Sequence, residues 1–217
     1  MNLKTGYENL DNTIGSLEKG KLYAIASRPG VGKSTFAINI INNIAKQTND
    51  KILYFNLETS KERLKERITT DKVEIIDTPM ITIEEIKSKC EEVAKNDLSL
   101  VVIDYIQLIH PTTFNVLVLD DLKHSTEILK EVATNLNVPI IILSQLTKQQ
   151  AKTLEDDSIT SFDYQDNSPL LQHTDKIIFL YRESYYNPKE KLTTTEDNNY
   201  FKDVIVLDKN IVIAVIP

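Results

Sequence analysis

The stretch that decides the fold runs from Lys21 to Thr35 and reads KLYAIASRPGVGKST. Its first half is a short apolar run, which predicts a buried β-strand over residues 21–27. The composition then changes at residues 28–30 to turn formers, and apolar side chains recur at helical spacing after Lys33. A strand, a glycine-containing loop and a helix in this order form the Walker A pattern, whose loop binds polyphosphates.

A polyphosphate site needs several backbone N–H groups aimed at one point, a helix N-terminus, a lysine and a hydroxyl for a metal. We expect Lys33 to reach the terminal phosphates and Ser34 to supply the hydroxyl for Mg²⁺. Ser27 stands where the strict pattern has glycine, and the alternative is a turn that contains Gly-Lys-Ser by chance; the flanking strand and helix disfavour it. The predicted nucleotide-binding residues of this loop are Arg28, Gly30, Val31, Gly32, Lys33, Ser34 and Thr35.

Two carboxylates follow predicted strands, at the rim where α/β sheets place their ligands. Asp104 ends the apolar run 100–103 and is placed to hold Mg²⁺ through water. It could instead be a turn residue at the exposed end of the strand, but the phosphate loop favours the metal role. Glu58 ends the second predicted strand and could be the base that orients water. From spacing alone, an equal alternative is an acid that caps a helix near Thr59.

The rest of the chain alternates between strand and helix patterns, which predicts an α/β fold with a mostly parallel twisted sheet and helices on both faces. Capping-box spacings at Thr59/Glu62 and Thr82/Glu85 predict two helix starts. The further strands are predicted over 52–57, 73–76, 98–109, 138–143, 176–181, 204–207 and 211–216, the last two as a C-terminal β-hairpin. Further helices are predicted to begin near 33, 60 and 83 and to cover 119–136.

Three other segments have simpler interpretations. The charges from Lys61 to Arg67 are typical of a solvated helix face. Cys90 falls on the apolar stripe of the helix after Thr82, so we expect it in the core. Residues 149–175 hold six acids against one lysine without a helical or strand period, which predicts an exposed loop.

The composition is typical of a soluble globular protein, with 41% hydrophobic and 26% charged residues and no apolar run long enough to span a bilayer. The net charge of −7 is not the basic footprint of most nucleic-acid binders. A single cysteine and the absence of a signal pattern over residues 1–13 predict a cytoplasmic location without membrane contact. All five glycines lie within the first 32 residues, and two of them, Gly30 and Gly32, belong to the phosphate loop.

Successive blocks of the sequence resemble, in order, the motor domain of DnaB-type replicative helicases. Beyond the phosphate loop, the blocks are TGY at 5–7, FNLETS at 55–60, VIDYIQL at 102–108, NVP at 137–139, LSQL at 143–146 and LYR at 180–182. The resemblance runs from about residue 5 to about residue 209. It implies a RecA-like P-loop NTPase core as a single domain over 1–217, ATP and Mg²⁺ as cofactors, and DNA unwinding by ATP-driven translocation on single strands.

The resemblance also implies roles for individual residues. Glu58 would be the catalytic base, Asp104 would hold Mg²⁺, and Gln145 would sense the γ-phosphate. In the family the neighbouring subunit of a ring supplies an arginine finger, whose position here is Ile211. Lys209 could act in trans in its place, with slower hydrolysis, because a lysine lacks the planar fork of arginine.

Other departures from the family pattern favour an alternative function. The family's collar domain and linker helix are not expected here, and the segments that match its DNA loops, 110–119 and 149–169, include a strongly acidic one. The expected partners are single-stranded DNA, bound weakly by this chain alone, and a homohexamer or other replication proteins. The alternative is a reduced relative that acts as a nucleotide switch and regulates or binds partners without translocating. A non-helicase relative of the KaiC or RadA type is disfavoured by the block at 104–108.

Overall fold

The computed structural model of this protein describes residues 3–111, 118–146, 169–182, 203–208 and 211–216. The strands are β1 Leu22–Ser27, β2 Lys51–Asn56, β3 Val73–Ile76, β4 Leu98–Asp104, β5 Ile140–Gln145, β6 Lys176–Arg182, β7 Asp203–Asp208 and β8 Ile211–Ile216. The helices are α1 Glu8–Ile14, α2 Lys33–Ala45, α3 Lys61–Lys65, α4 Ile83–Ala94, α5 Val118–Leu136 and α6 Pro169–His173, and a 3-10 turn covers Ile106–Leu108.

The eight strands form one sheet in the order β3-β2-β4-β5-β1-β6-β8-β7. Every neighbouring pair is parallel except β7 and β8, which form an antiparallel hairpin. The predicted mostly parallel sheet and C-terminal hairpin are therefore confirmed. Because β1 lies between β5 and β6, the loop that follows it opens near the middle of the sheet.

Helices pack on both faces of the sheet, as predicted, because the central strands are apolar on both sides. In β1, Tyr23 and Ile25 join one core cluster with Phe36 of α2, whereas Leu22 joins the other with Ile86 of α4. Burying an isoleucine or phenylalanine side chain of this kind contributes about 1.5–3 kcal/mol. The two cores hold β1 rigidly, and with it the start of the phosphate loop.

The two predicted capping boxes have different outcomes. Thr82 and Glu85 form the predicted reciprocal bonds at the start of α4. The prediction at Thr59 is wrong, because α3 begins after Ser60 and has no side-chain cap. The backbone of Thr59 is bonded instead to the Asn56 side chain, which accepts from its N–H at 3.2 Å and donates to its carbonyl at 2.7 Å.

Strand β4 ends at Asp104 rather than at residue 109, because the following backbone makes local turn bonds. The predicted exposed loop over 149–175 is wrong at its C-terminal end. There, α6 is helical and Leu170 is buried. Asp175 accepts bonds from Lys130 Nζ at 2.6 Å, from Lys21 Nζ at 3.0 Å and from the Leu22 N–H at 2.8 Å. The remainder of that acidic segment, up to residue 168, lies outside the described residues.

Two other expectations can be compared with the described part of the chain. Cys90 is fully buried on α4, as predicted, and burial raises the pKa of its thiol to about 12. Within the described ranges, no helix has both the length and the apolar character needed to cross a membrane.

Candidate nucleotide-binding site

The loop between β1 and α2 contains two glycines and leads directly into the N-terminus of α2. Gly30 and Gly32 have φ angles of 79° and 116°, a left-handed conformation that L side chains rarely adopt. Gly32 is the N-cap of α2, and neither a capping side chain nor an acidic residue in the first turn neutralises the helix N-terminus. Val31 is 1% exposed and packs into the core, so only its backbone faces the loop. An anion here would therefore meet the N–H groups of the first helical turn and the positive end of the helix dipole.

Lys33 places a buried ammonium group beside this loop. Its side chain is on a residue only 7% exposed, and Nζ donates to the Ser27 carbonyl at 3.3 Å. Burial lowers the pKa of Lys33, while the negative charges of Asp104 and Glu58 act in the opposite direction. The structure thus brings the predicted lysine close to both predicted carboxylates, although Glu58 and Asp104 follow it by 25 and 71 positions in the sequence. Glu58 and Asp104 are 46 positions apart in the sequence, and they lie at the same edge of the sheet because β2 and β4 are neighbouring parallel strands.

Asp104 is the predicted metal ligand, and the structure leaves one of its oxygens available. The residue is 1% exposed, and its Oδ2 accepts a bond from the Tyr54 hydroxyl at 2.9 Å. Its Oδ1 is buried and has no hydrogen-bond partner among the residues that the structure describes. Burial raises the pKa of Asp104, although the nearby hydroxyls of Ser34 and Tyr54 and the charges of Lys33 and Arg67 oppose the shift.

A divalent metal fits this arrangement. A buried carboxylate oxygen without a partner, beside the Ser34 hydroxyl, is a hard-oxygen donor set of the kind that Mg²⁺ takes. The described residues contain no group of three His, Cys, Asp or Glu side chains that could hold a metal by themselves. Mg²⁺ here would therefore need phosphate oxygens and water as its other ligands.

Glu58 lies at the end of β2, at the same level as Asp104. Asn56 is paired with Asp104 across β2 and β4, and the Leu57 N–H donates to the Asp104 carbonyl at 2.7 Å. Glu58 itself is exposed, and its N–H donates to Asn56 Oδ1 at 3.3 Å. It precedes the N-cap of α3 and is outside the first turn of that helix. The side chain of Asn56, which the sequence analysis did not single out, therefore holds the turn that carries Glu58.

Gln145 lies at the end of β5, next to the phosphate loop. It is paired with Ser27 across β1 and β5, and the following residue, Leu146, donates its N–H to the Ser27 carbonyl at 3.0 Å. The predicted sensor residue is thus held beside the strand that begins the Walker A loop. Of the remaining predicted residues, Lys209 lies outside the described part of the chain.

Arg67 is a cation at this site that the sequence analysis missed. Its Nη2 donates to Thr35 Oγ1 at 2.7 Å, and its charge acts on the Asp104 carboxyl. The Asn42 side chain fixes this segment to α2, since it donates to the Arg67 carbonyl at 2.9 Å and accepts from the Thr69 N–H at 3.1 Å. Arg67 is exposed, as the solvated-face interpretation of 61–67 expects, but it lies beyond the end of α3 rather than on that helix. No local spacing signals it, because its partner is 32 positions away.

The family model for the DnaB-like helicase C-terminal domain matches residues 2–76 and 67–211. The chain belongs to this family. The predicted resemblance is therefore confirmed over almost the whole sequence. The two matched segments overlap at residues 67–76, which follow α3 and include β3.

Replicative DNA helicases are among the relatives of this chain. It is 32% identical over 233 residues to a probable replicative DNA helicase of Trieres chinensis, covering 89% of this chain and 51% of the relative. It is 28% identical over 242 residues to the replicative DNA helicase DnaB of Geobacillus stearothermophilus, covering 96% of this chain and 52% of the relative. The chain thus spans about half the length of the curated relatives it matches.

Solved structures agree with the fold. One solved structure is that of a DnaB-like replicative helicase, described together with its interactions with primase. It superposes on this chain with a TM-score of 0.77 at 25% identity. The match covers 89% of this chain and 54% of that one. A second structure, an ATPase domain, has a TM-score of 0.76 at 24% identity and covers 88% of this chain and 80% of that domain. The predicted α/β RecA-like fold is confirmed.

Proposed function

We propose that this chain is the ATP-binding and ATP-hydrolysing motor domain of a DnaB-type replicative helicase, which unwinds DNA by translocating on single strands. One observation carries the proposal. A phosphate loop, a buried lysine and two carboxylates from separate strands converge at one edge of the sheet. Membership of the DnaB-like helicase family supports the same function.

The nucleotide phosphates would lie on the N-terminus of α2. The N–H groups of the loop between β1 and α2 would donate to the phosphate oxygens, with Lys33 reaching the terminal phosphates. Because Lys33 is buried and its pKa is lowered, a bound triphosphate would compensate its desolvated charge. Thr35, at the first turn of α2, would lie beside the same phosphates with Arg67 bonded to it.

Ser34 and Asp104 would hold Mg²⁺, which supplies charge neutralisation at the β- and γ-phosphate oxygens when bound. Ser34 would offer its hydroxyl, and Oδ1 of Asp104, which has no hydrogen-bond partner in the described part of the chain, would accept bonds from water held by the metal. Tyr54 keeps the carboxyl oriented through its bond to Oδ2.

Glu58 would orient and deprotonate the attacking water, and Gln145 would report the presence of the γ-phosphate. Exposure of Glu58 at the strand rim lets water reach it, while Asn56 fixes its backbone. Charge on the transferring phosphoryl group would be stabilised by Arg67 within the same chain and by Lys209 of a neighbouring copy.

Single-stranded DNA and further copies of the chain are the proposed partners, in a homohexamer that works in the cytoplasm with other replication proteins. One relative of known structure interacts with primase. A second function is favoured by two features of the sequence. The finger position holds Ile211, and the segment at 149–169 is acidic. These features fit a nucleotide switch that binds partners without translocating.

ATP turnover with and without single-stranded DNA separates the two functions, together with the mass in solution with a non-hydrolysable ATP analogue. The motor predicts turnover that DNA stimulates and rings that form with the analogue. The switch predicts nucleotide binding by a monomer without stimulation. A monomer that shows no stimulation under both conditions would rule out the motor function for this chain.

Two substitutions test the site itself. Lys33→Ala should abolish nucleotide binding, whereas Lys46→Ala, at the exposed end of the same helix, should not change it. Glu58→Gln should keep binding and lower turnover at least about 100-fold. Its matched control is Glu62→Gln on α3. Turnover that survives in the Glu58 variant would remove this residue from its proposed role.

A further inference from the structure

We propose that Gln107 is a positioning residue for Gln145: its side-chain amide holds the backbone of the sensor in place. The inference rests on the proposed function, because it concerns how the γ-phosphate sensor is aligned. Gln107 lies in the 3-10 turn that follows β4, two strands away from the phosphate loop.

Three hydrogen bonds join Gln107 to the end of β5. Its Oε1 accepts from the Gln145 N–H at 3.2 Å, and its Nε2 donates to the Gln145 carbonyl at 3.2 Å. Nε2 also donates to the Ser144 hydroxyl at 2.8 Å. One side-chain amide therefore satisfies both backbone polar groups of Gln145.

These bonds take the place of backbone pairing between β4 and β5, which ends before Gln145. The ladder between β4 and β5 pairs Val101–Ile103 with Ile140–Ile142, and β4 ends at Asp104. Strand β5 continues to Gln145, so the backbone groups of its last residues have no β4 partner in the ladder. The Gln107 amide offers one donor and one acceptor in the arrangement that a strand would offer.

The result is that Gln145 is held from both sides. On one side it pairs with Ser27 of β1, which leads into the phosphate loop. On the other side Gln107 ties it to the turn after the proposed metal ligand Asp104. An extended side chain at the end of a strand reaches a phosphate reproducibly only when its own backbone is fixed. Gln107 supplies that fixation without contacting the nucleotide loop itself.

A double-mutant cycle tests the inference in the full chain. Gln107→Met keeps the length of the side chain and removes its hydrogen bonds, and Gln145→Ala removes the sensor. We expect Gln107→Met to lower kcat about tenfold with less than about a twofold change in nucleotide affinity. In the Gln145→Ala background the same substitution should change kcat less than about twofold, because it acts through Gln145. Leu108→Ala, at an exposed residue of the same turn, is the matched control.

Amide hydrogen exchange provides a readout that does not need turnover. The Gln145 amide should exchange at least about tenfold faster in Gln107→Met than in the wild-type chain, while amides in the middle of β5 stay protected. Equal losses of kcat in both backgrounds, or an unchanged exchange rate at Gln145, would overturn the inference. A wild-type chain without ATP turnover would instead refute the proposed function, and the exchange rate would still decide the role of Gln107.

Discussion

Replacing Asp104 with asparagine should stabilise the protein without ligands while weakening its use of Mg²⁺. Asp104 is buried, and its Oδ1 has no hydrogen-bond partner within the described ranges. Burial raises its pKa despite the nearby hydroxyls of Ser34 and Tyr54 and the charge of Lys33, so the ionised carboxyl is disfavoured in the folded state. Asparagine has nearly the same shape and keeps an acceptor oxygen for the Tyr54 hydroxyl. Its NH₂ group can donate to the adjacent Ser34 hydroxyl.

The magnitude follows from the cost of an unsatisfied buried polar group, about 1–3 kcal/mol. Allowing for imperfect bonding of the new amide, we expect the free energy of unfolding to rise by about 1–2 kcal/mol. For a domain of this size that corresponds to an increase in Tm of about 2–8 °C. The pKa of Asp104 is raised even with the favourable charge of Lys33 acting on it. Loss of that attraction in the asparagine variant therefore does not turn the expected stabilisation into a destabilisation.

The effect should depend on pH in a defined direction. Because burial raises the pKa of Asp104, the folded state binds this proton more tightly than the unfolded state. Stability of the wild-type protein is therefore lost as the pH rises through the folded pKa. The advantage of the asparagine variant should be largest at alkaline pH and should shrink as the pH is lowered.

Thermal unfolding of both proteins at pH 8 and pH 5, with and without Mg²⁺ and ATP, measures these effects. Without ligand the variant should melt at the higher temperature at pH 8. Addition of Mg²⁺ and ATP should raise the melting temperature of the wild-type protein more than that of the variant, because only the wild type keeps the carboxylate for the metal. A variant that is less stable than the wild type at pH 8 without ligand would refute the reasoning.

Three further predictions concern other parts of the molecule. Burial alone would raise the pKa of Asp175, but bonds from Lys130, Leu22 and Lys21 outweigh it and lower the pKa. Asp175→Asn should therefore cost about 1–2 kcal/mol at pH 7 in urea unfolding, and the difference should vanish as the pH falls through the folded pKa. Because the pKa of the Cys90 thiol is about 12, a thiol reagent at pH 8 should label it only as fast as the protein opens. Asn56→Ala should lower ATP turnover about tenfold with nucleotide binding unchanged in a fluorescence titration, whereas equal losses of both would contradict its role in holding Glu58.

The phosphate loop and the order of the elements could be predicted from the sequence because both depend on neighbouring residues. A buried strand, a glycine turn and an amphipathic helix each have a local pattern, so the loop that begins at Ser27 was predicted within a residue of its observed position. The capping box at Thr82 is equally local. The wrong capping-box prediction at Thr59 also has a local cause, because the Asn56 side chain bonds to the N–H and the carbonyl of Thr59.

The sequence by itself determined the α/β class, the phosphate loop and the family, because strand and helix periods and short motifs are properties of adjacent residues. Only the tertiary structure decided which distant groups share the site. Arg67 meets Thr35, Gln107 holds Gln145, and Asp175 anchors the strand that begins at Leu22, across 32, 38 and 153 positions respectively. The physical reason is that strand order in the sheet, set by burial of apolar faces, brings such groups within hydrogen-bond distance, and no local pattern records that order.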